Sequence, residues 1–99
     1  MKSIDQNQFA EELNNGANIL DVRESDKFES GHVPGARFFP LSSIQKNIKQ
    51  LDKDTKYYVI CRSGARSQQA SAYLEQNGYD VVNVSGGTTS WQGDLEYGL

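Results

Sequence analysis

Apolar positions in this chain recur at two spacings, and the order in which the spacings change predicts its elements. Phe9 and Leu13 are four residues apart, behind an N-cap residue, Asp5, that has Gln8 three positions on; Asn15-Gly16 closes the segment, so a first helix is expected there. "NILDV", Asn18 to Val22, is short, branched and apolar and reads as a strand. In the "RESD" that follows, Ser25 or Asp26 can cap a short helix through about Glu29. "GHVPGA", Gly31 to Ala36, breaks both periodicities and is a turn. "RFF" then suggests a brief strand, and "LSSIQKNIKQL" carries Ile44, Ile48 and Leu51 at spacings of four and three, which predicts an amphipathic helix capped near Ser42 or Ser43. Tyr57 to Ile60, "YYVI", is the strongest strand signal in the chain. From about Gly64 to Asn77 the period turns helical again, with Ala70, Tyr73 and Leu74 on one face and Gly78 as the stop. "DVVNV" is a further strand, and after "SGG" a final short helix is expected around "TTSWQ", with Trp91 as its core residue.

Strands alternating with helices imply an α/β fold, a sandwich with a mostly parallel central sheet. Ninety-nine residues suit one domain, residues 1–99, with one modest core, and no internal repeat or linker composition divides them.

Composition narrows the function classes. Hydrophobic residues at 36% and charged residues at 23% describe a globular chain, and the longest apolar run is too short to cross a bilayer. The start, "MKSIDQNQFAEE", lacks the apolar core of a secretory signal, so a cytoplasmic location is expected. A net charge of -3 leaves no basic excess for nucleic acid. The chain has one Cys and one His, which excludes an internal disulfide and gives no metal-ligand spacing; no metal or cofactor is expected.

That lone cysteine, Cys61, is either a small buried apolar residue or a nucleophile, and its neighbours favour the second. In a parallel sheet, ligands sit beyond the carboxyl ends of the strands, and Cys61 follows a strand directly, with a helix starting within a few residues. The backbone between them can aim several N–H groups at one point, and such a nest, with the positive end of the helix, stabilises a thiolate against its thiol. Gly64 suits an unusual backbone angle in the turn, and Arg62 and Arg66 add cationic forks for an oxyanion. A thiolate made this way requires no general base, so His32, in a distant loop, reads as an exposed or hydrogen-bonded turn residue.

"CRSGARS" at Cys61 to Ser67 resembles the active-site loop of the rhodanese family of sulfurtransferases. "LDVRE" at Leu20 to Glu24, "GHVPGA" and "VSGGTTSW" at Val84 to Trp91 match family signatures in the same order. The resemblance covers nearly the whole chain and implies a rhodanese-like three-layer sandwich. It implies that Cys61 takes a sulfane sulfur from a donor such as thiosulfate, becomes a persulfide, and passes the outer sulfur on in a double displacement. The cradle would be the backbone of Arg62, Ser63, Gly64, Ala65, Arg66 and Ser67, with Arg62 and Arg66 contacting the anionic donor. With no second Cys to discharge the persulfide, the acceptor must be external: a thiol, cyanide or a protein sulfur carrier. Asp21, Arg23 and Glu24 are expected to hold loops by ion pairs or hydrogen bonds, and Gly31, Pro34, Gly35, Gly86 and Gly87 to shape turns.

Three alternatives compete. A non-catalytic rhodanese-like binding or regulatory module is disfavoured because inactive family members typically lose the cysteine, which this chain keeps. A cysteine phosphatase or arsenate reductase is disfavoured by the C-x4-R spacing of Cys61 and Arg66 against the phosphatase C-x5-R, and by the absence of an acid in the loop. A purely structural role for Cys61 would, on sequence grounds, leave two nearby arginines to be buried unpaired.

Overall fold

The computed structural model describes residues 2–99, and its five strands all pair in parallel in the order β1-β5-β4-β2-β3. They are β1 (Lys2–Ile4), β2 (Asn18–Asp21), β3 (Arg37–Phe38), β4 (Lys56–Ile60) and β5 (Asp80–Val84). Four α-helices alternate with them: α1 (Gln6–Asn14), α2 (Ser25–Glu29), α3 (Ile44–Asn47) and α4 (Ala65–Gln76). Single 3-10 turns lie at Leu41–Ser43, Ile48–Gln50 and Thr88–Ser90. The expected sandwich with its parallel sheet is therefore present.

The central strands are apolar along their length because both faces are covered. Side chains alternate across a strand, so Val59 and Val81 meet Ala70 and Leu74 of α4 and Ile44 of α3, whereas Tyr58, Ile60, Val82 and Val84 meet Phe9 of α1 on the other face. Each such fully buried side chain contributes about 1.5–3 kcal/mol relative to exposure. Continuing the alternation past Tyr57 and Val59 puts Cys61 on the α4 face, within the same buried cluster.

The capping box predicted at Asp5 and Gln8 forms, with Gln8 N–H donating to Asp5 Oδ1 at 2.8 Å. Several expectations need correction. β1 carries no sequence signal of its own; it exists because Lys2, Ser3 and Ile4 pair with Val82, Asn83 and Val84. The cap of α2 is Glu24, not Ser25 or Asp26, and its side chain makes no capping bond. The single helix expected over 41–51 is broken into a 3-10 turn, α3 and a second 3-10 turn; Ser43 takes the N-cap position of α3, as expected, but without a side-chain capping bond. Serines and asparagine compete with helix hydrogen bonding there, and the segment is too short to propagate against them. Its apolar positions still point inward: Ile44 and Leu51 are buried, with Leu41 and Ile48 packed beside them. Trp91 lies just past the last 3-10 turn, half-buried and edge-on to Phe9 at 5.5 Å, rather than inside a helix. No helix among the described residues is long and apolar enough to cross a membrane.

Candidate active site

β4 ends at Ile60, α4 begins at Ala65, and the chain between them wraps around the sulfur of Cys61. The wrap depends on Gly64, whose φ of 105° lies in the left-handed region that a side chain would strain. From that posture Gly64 N–H donates to Cys61 Sγ at 3.0 Å. Ser67, one turn into α4 and fully buried, holds Gly64 O with its hydroxyl at 3.1 Å and lies 3.4 Å from the sulfur. As a thiol, Cys61 donates to Ser67 Oγ; as a thiolate it can accept from the same hydroxyl, whose proton rotates to suit.

Cys61 is 2% exposed. Burial pushes its pKa up, but the hydroxyl and backbone N–H of Ser67 and the backbone N–H groups of Gly64 and Ser63 pull it down, and together they hold it below the ordinary thiol value. The balance is between the low polarity of the core and the donors aimed at the sulfur.

The outside of the loop is held by a second turn. Thr88 donates to Cys61 O through its N–H at 2.8 Å and its hydroxyl at 3.1 Å, and Thr89 N–H donates to Arg62 O at 2.9 Å. This approach is possible only at a glycine. A Cβ on Gly87, where φ is 58°, would lie 2.5 Å from Arg62 O and closer still to Cys61 O.

The remaining loop residues divide by exposure. Ser63, Ala65 and both arginines face solvent, and neither Arg62 nor Arg66 makes an ion pair among the described residues. Their guanidinium groups are open to solvent. Their exposure also removes the argument against a structural cysteine that rested on burying two unpaired arginines; the hydrogen bonds to sulfur take its place.

Asp21 and Arg23 form a buried fork, with Arg23 Nη2 at 2.8 Å from Asp21 Oδ2 and donating at 2.8 Å to Gly31 O. They tie β2 to the turn at 31–36, as expected, and Glu24 does similar work by accepting from Ser42 Oγ at 2.7 Å. His32 is buried and stacked on Phe28, its Nδ1 at 2.8 Å from Phe28 O and its Nε2 facing Glu96 at 3.9 Å. Its contacts belong to that turn and to the C-terminal segment. No group of His, Cys, Asp and Glu among the described residues is arranged to hold a metal.

Sequence reasoning missed the Ser67 hydroxyl, Thr88, Thr89 and Gln6, whose Nε2 donates to Ser85 O at 2.8 Å and Gly87 O at 3.1 Å. Ser67 left a signal, because it shares the inward stripe of α4 with Ala70, Ser71 and Leu74. The others act on backbone carbonyls far away in sequence, which no local pattern records.

A family profile described as Rhodanese-like domain matches residues 5–94. The crystal structure of a Staphylococcus saprophyticus protein superimposes with a TM-score of 0.92 at 40% identity, covering 98% of this chain and 100% of that one. A rhodanese-like domain protein from Staphylococcus aureus gives 0.92 at 37% identity, with both chains covered completely. The thiosulfate sulfurtransferase GlpE of Pseudomonas putida is 38% identical over 78 residues, 78% of this chain and 71% of its own length. Sequence and backbone agree along almost the entire chain, and it belongs to the rhodanese-like domain family.

Proposed function

We propose that this protein is a rhodanese-type sulfurtransferase that carries sulfane sulfur on Cys61. The observation that carries the reading is a sulfur atom in the core that is nonetheless the target of hydrogen-bond donors, Gly64 N–H at 3.0 Å foremost. A merely structural thiol needs none of them. The names of relatives, thiosulfate sulfurtransferase among them, support the same assignment.

In the first half-reaction the Cys61 thiolate attacks the outer sulfur of thiosulfate. The S–S bond of the donor breaks, sulfite leaves with the bonding electrons, and Cys61 becomes a persulfide anion. Arg62 and Arg66, exposed at the mouth, balance the donor's charge, and the backbone from Arg62 to Ser67 cradles the terminal sulfur. In the second half-reaction an acceptor such as cyanide or a thiolate attacks that outer sulfur, and Cys61 departs as the thiolate in which it began. The chain has one cysteine, so the acceptor comes from outside: a small thiol, cyanide or a protein sulfur carrier. The setting is the cytoplasm, where a free thiol stays reduced.

Incubation with thiosulfate followed by intact-mass measurement tests this directly. An adduct of about 32 mass units, one sulfur, is expected on the wild type and lost on addition of cyanide with release of thiocyanate. Cys61→Ser should show neither event while keeping its fold. A Cys61→Ser protein that still makes thiocyanate would overturn the proposal.

A further inference from the structure

The loop around Cys61 keeps its course because its outward-facing carbonyls are held from outside. A trans peptide sends its C=O and the next residue's N–H in opposite directions, and no peptide among the described residues is cis. Anchoring Arg62 O on Thr89 therefore turns Ser63 N–H toward the sulfur, and anchoring Cys61 O on Thr88 fixes the peptide at which the loop leaves β4. What remains is what anchors the turn that carries Thr88 and Thr89.

That turn is tied to the start of α1. β1 pairs with β5 so that Ile4 O accepts from Ser85 N–H at 3.0 Å, which lays Gln6, two residues on, beside the chain from Ser85 to Gly87. Gln6 Nε2 then bridges Ser85 O and Gly87 O. Two carbonyl acceptors fix which end of the amide faces them. Its Oε1 is buried without a hydrogen-bond partner, a cost that a side chain placed for its own packing would not carry. We infer that Gln6 is a positioning residue for the Cys61 loop: by bridging Ser85 O and Gly87 O it holds the turn from which Thr88 and Thr89 keep the loop's amides aimed at the sulfur.

The inference rests on Cys61 acting as a thiolate, and its test separates the two ideas. The charged groups near the sulfur are Arg62 and Arg66 of its own loop; residues 85–90 and Gln6 are uncharged, and Asp21, at the end of β2, and Arg23, just past it, close their own ion pair. A change in Cys61 titration on altering Gln6 to an uncharged residue thus reports donor geometry rather than charge.

The experiment is the rate of alkylation of Cys61 by iodoacetamide against pH in the full-length protein. Gln6→Met keeps the length of the side chain and removes the donor. Its alkylation midpoint should move up toward that of a free thiol, with the rate at neutral pH falling about threefold or more. Tyr58→Phe is the control: it cuts the 3.2 Å bond from Tyr58 to Glu12 that ties α1 to β4, and leaves the turn untouched. It should lower the melting temperature and keep the wild-type midpoint. If Gln6→Met lowers the melting temperature but also keeps that midpoint, Gln6 is structural only and the inference fails. Should Gln6→Met not fold, Gln6→Ala is judged by the same two outcomes. A wild-type protein that titrates as an ordinary thiol would bring down the thiolate reading itself.

Discussion

Gly87→Ala provides the sharpest test of the two-turn architecture, because the structure supplies its size. A Cβ at this position would come within 2.5 Å of Arg62 O and 2.6 Å of Arg62 C, and nearer to Cys61 O, where ordinary contact begins at 3.4 Å. These are backbone atoms of the active-site loop and cannot swing aside, so the two turns must part by close to 1 Å. Parting them breaks the bonds from Thr88 and Thr89 that orient the loop amides. A displacement of about 1 Å at a reacting group costs on the order of a hundredfold in rate, and that is the expected fall in kcat/KM for thiosulfate, followed by thiocyanate release. The backbone adds a separate term, since φ of 58° with ψ of -157° is a region that residues with a Cβ avoid, at about 1–3 kcal/mol of stability. Gly16→Ala separates the two effects. Gly16 also has a left-handed φ, 83°, but nothing lies within 4 Å of its added Cβ, so it should lose about 1–2 kcal/mol in urea denaturation and no activity. Gly87→Ala enzyme as active as Gly16→Ala enzyme would refute the claim that the second turn sets the geometry of the first.

Further outcomes follow from the same contacts. Ser67→Ala removes the hydroxyl nearest the sulfur, so Cys61 should ionise at higher pH, with alkylation at neutral pH about tenfold slower for the loss of one charge-assisted hydrogen bond; an unchanged profile would assign Ser67 to holding Gly64 alone. Because the pKa of Cys61 is lowered in the folded chain, its contribution to stability is full above the unfolded thiol value, about 8.5, and is lost as pH falls through the folded value. The unfolding free energy of the wild type should therefore gain on that of Cys61→Ser as pH rises through this window, measured by denaturant titration from roughly pH 6 to 9, and a constant difference would contradict it. Asp21→Ala leaves Arg23 buried without its partner and should cost about 3–5 kcal/mol of stability, read from urea midpoints; a loss below about 1 kcal/mol would show the fork to be dispensable.

What the sequence made legible was what short stretches decide for themselves. The capping box at Asp5 and Gln8, the apolar runs of β2, β4 and β5, and the Gly64-to-Gly78 frame of α4 are all local signals, and the structure has an element at each. β1 was illegible because Lys2 and Ser3 are exposed and only Ile4 packs against the core; its strand character comes from β5, nearly the whole chain away. The segment at 41–51 was legible in part. Apolar spacing identified the residues that face the core, and the two serines and the asparagine among them decided how regularly the backbone could present them.

The site shows why a lone cysteine is difficult to judge from its neighbours. Burial and nucleophilic character look like rival readings in sequence, yet here burial and a shell of donors on the sulfur are two consequences of one alternation. Tyr57, Val59 and Cys61 fall on the same face of β4 and its continuation, so the thiol lands in the cluster beneath α4, and the first turn of that helix brings Gly64 and Ser67 over it. The conspicuous cations, Arg62 and Arg66, lie outside on the solvent side, and neither is among the groups that lower the pKa of Cys61. The downward pull on the Cys61 pKa therefore comes from backbone amides and one hydroxyl, common groups in any chain. Only their aim is special, and it is set by a turn 25 residues further along the chain, from Cys61 to Gly86, that has no chemistry of its own.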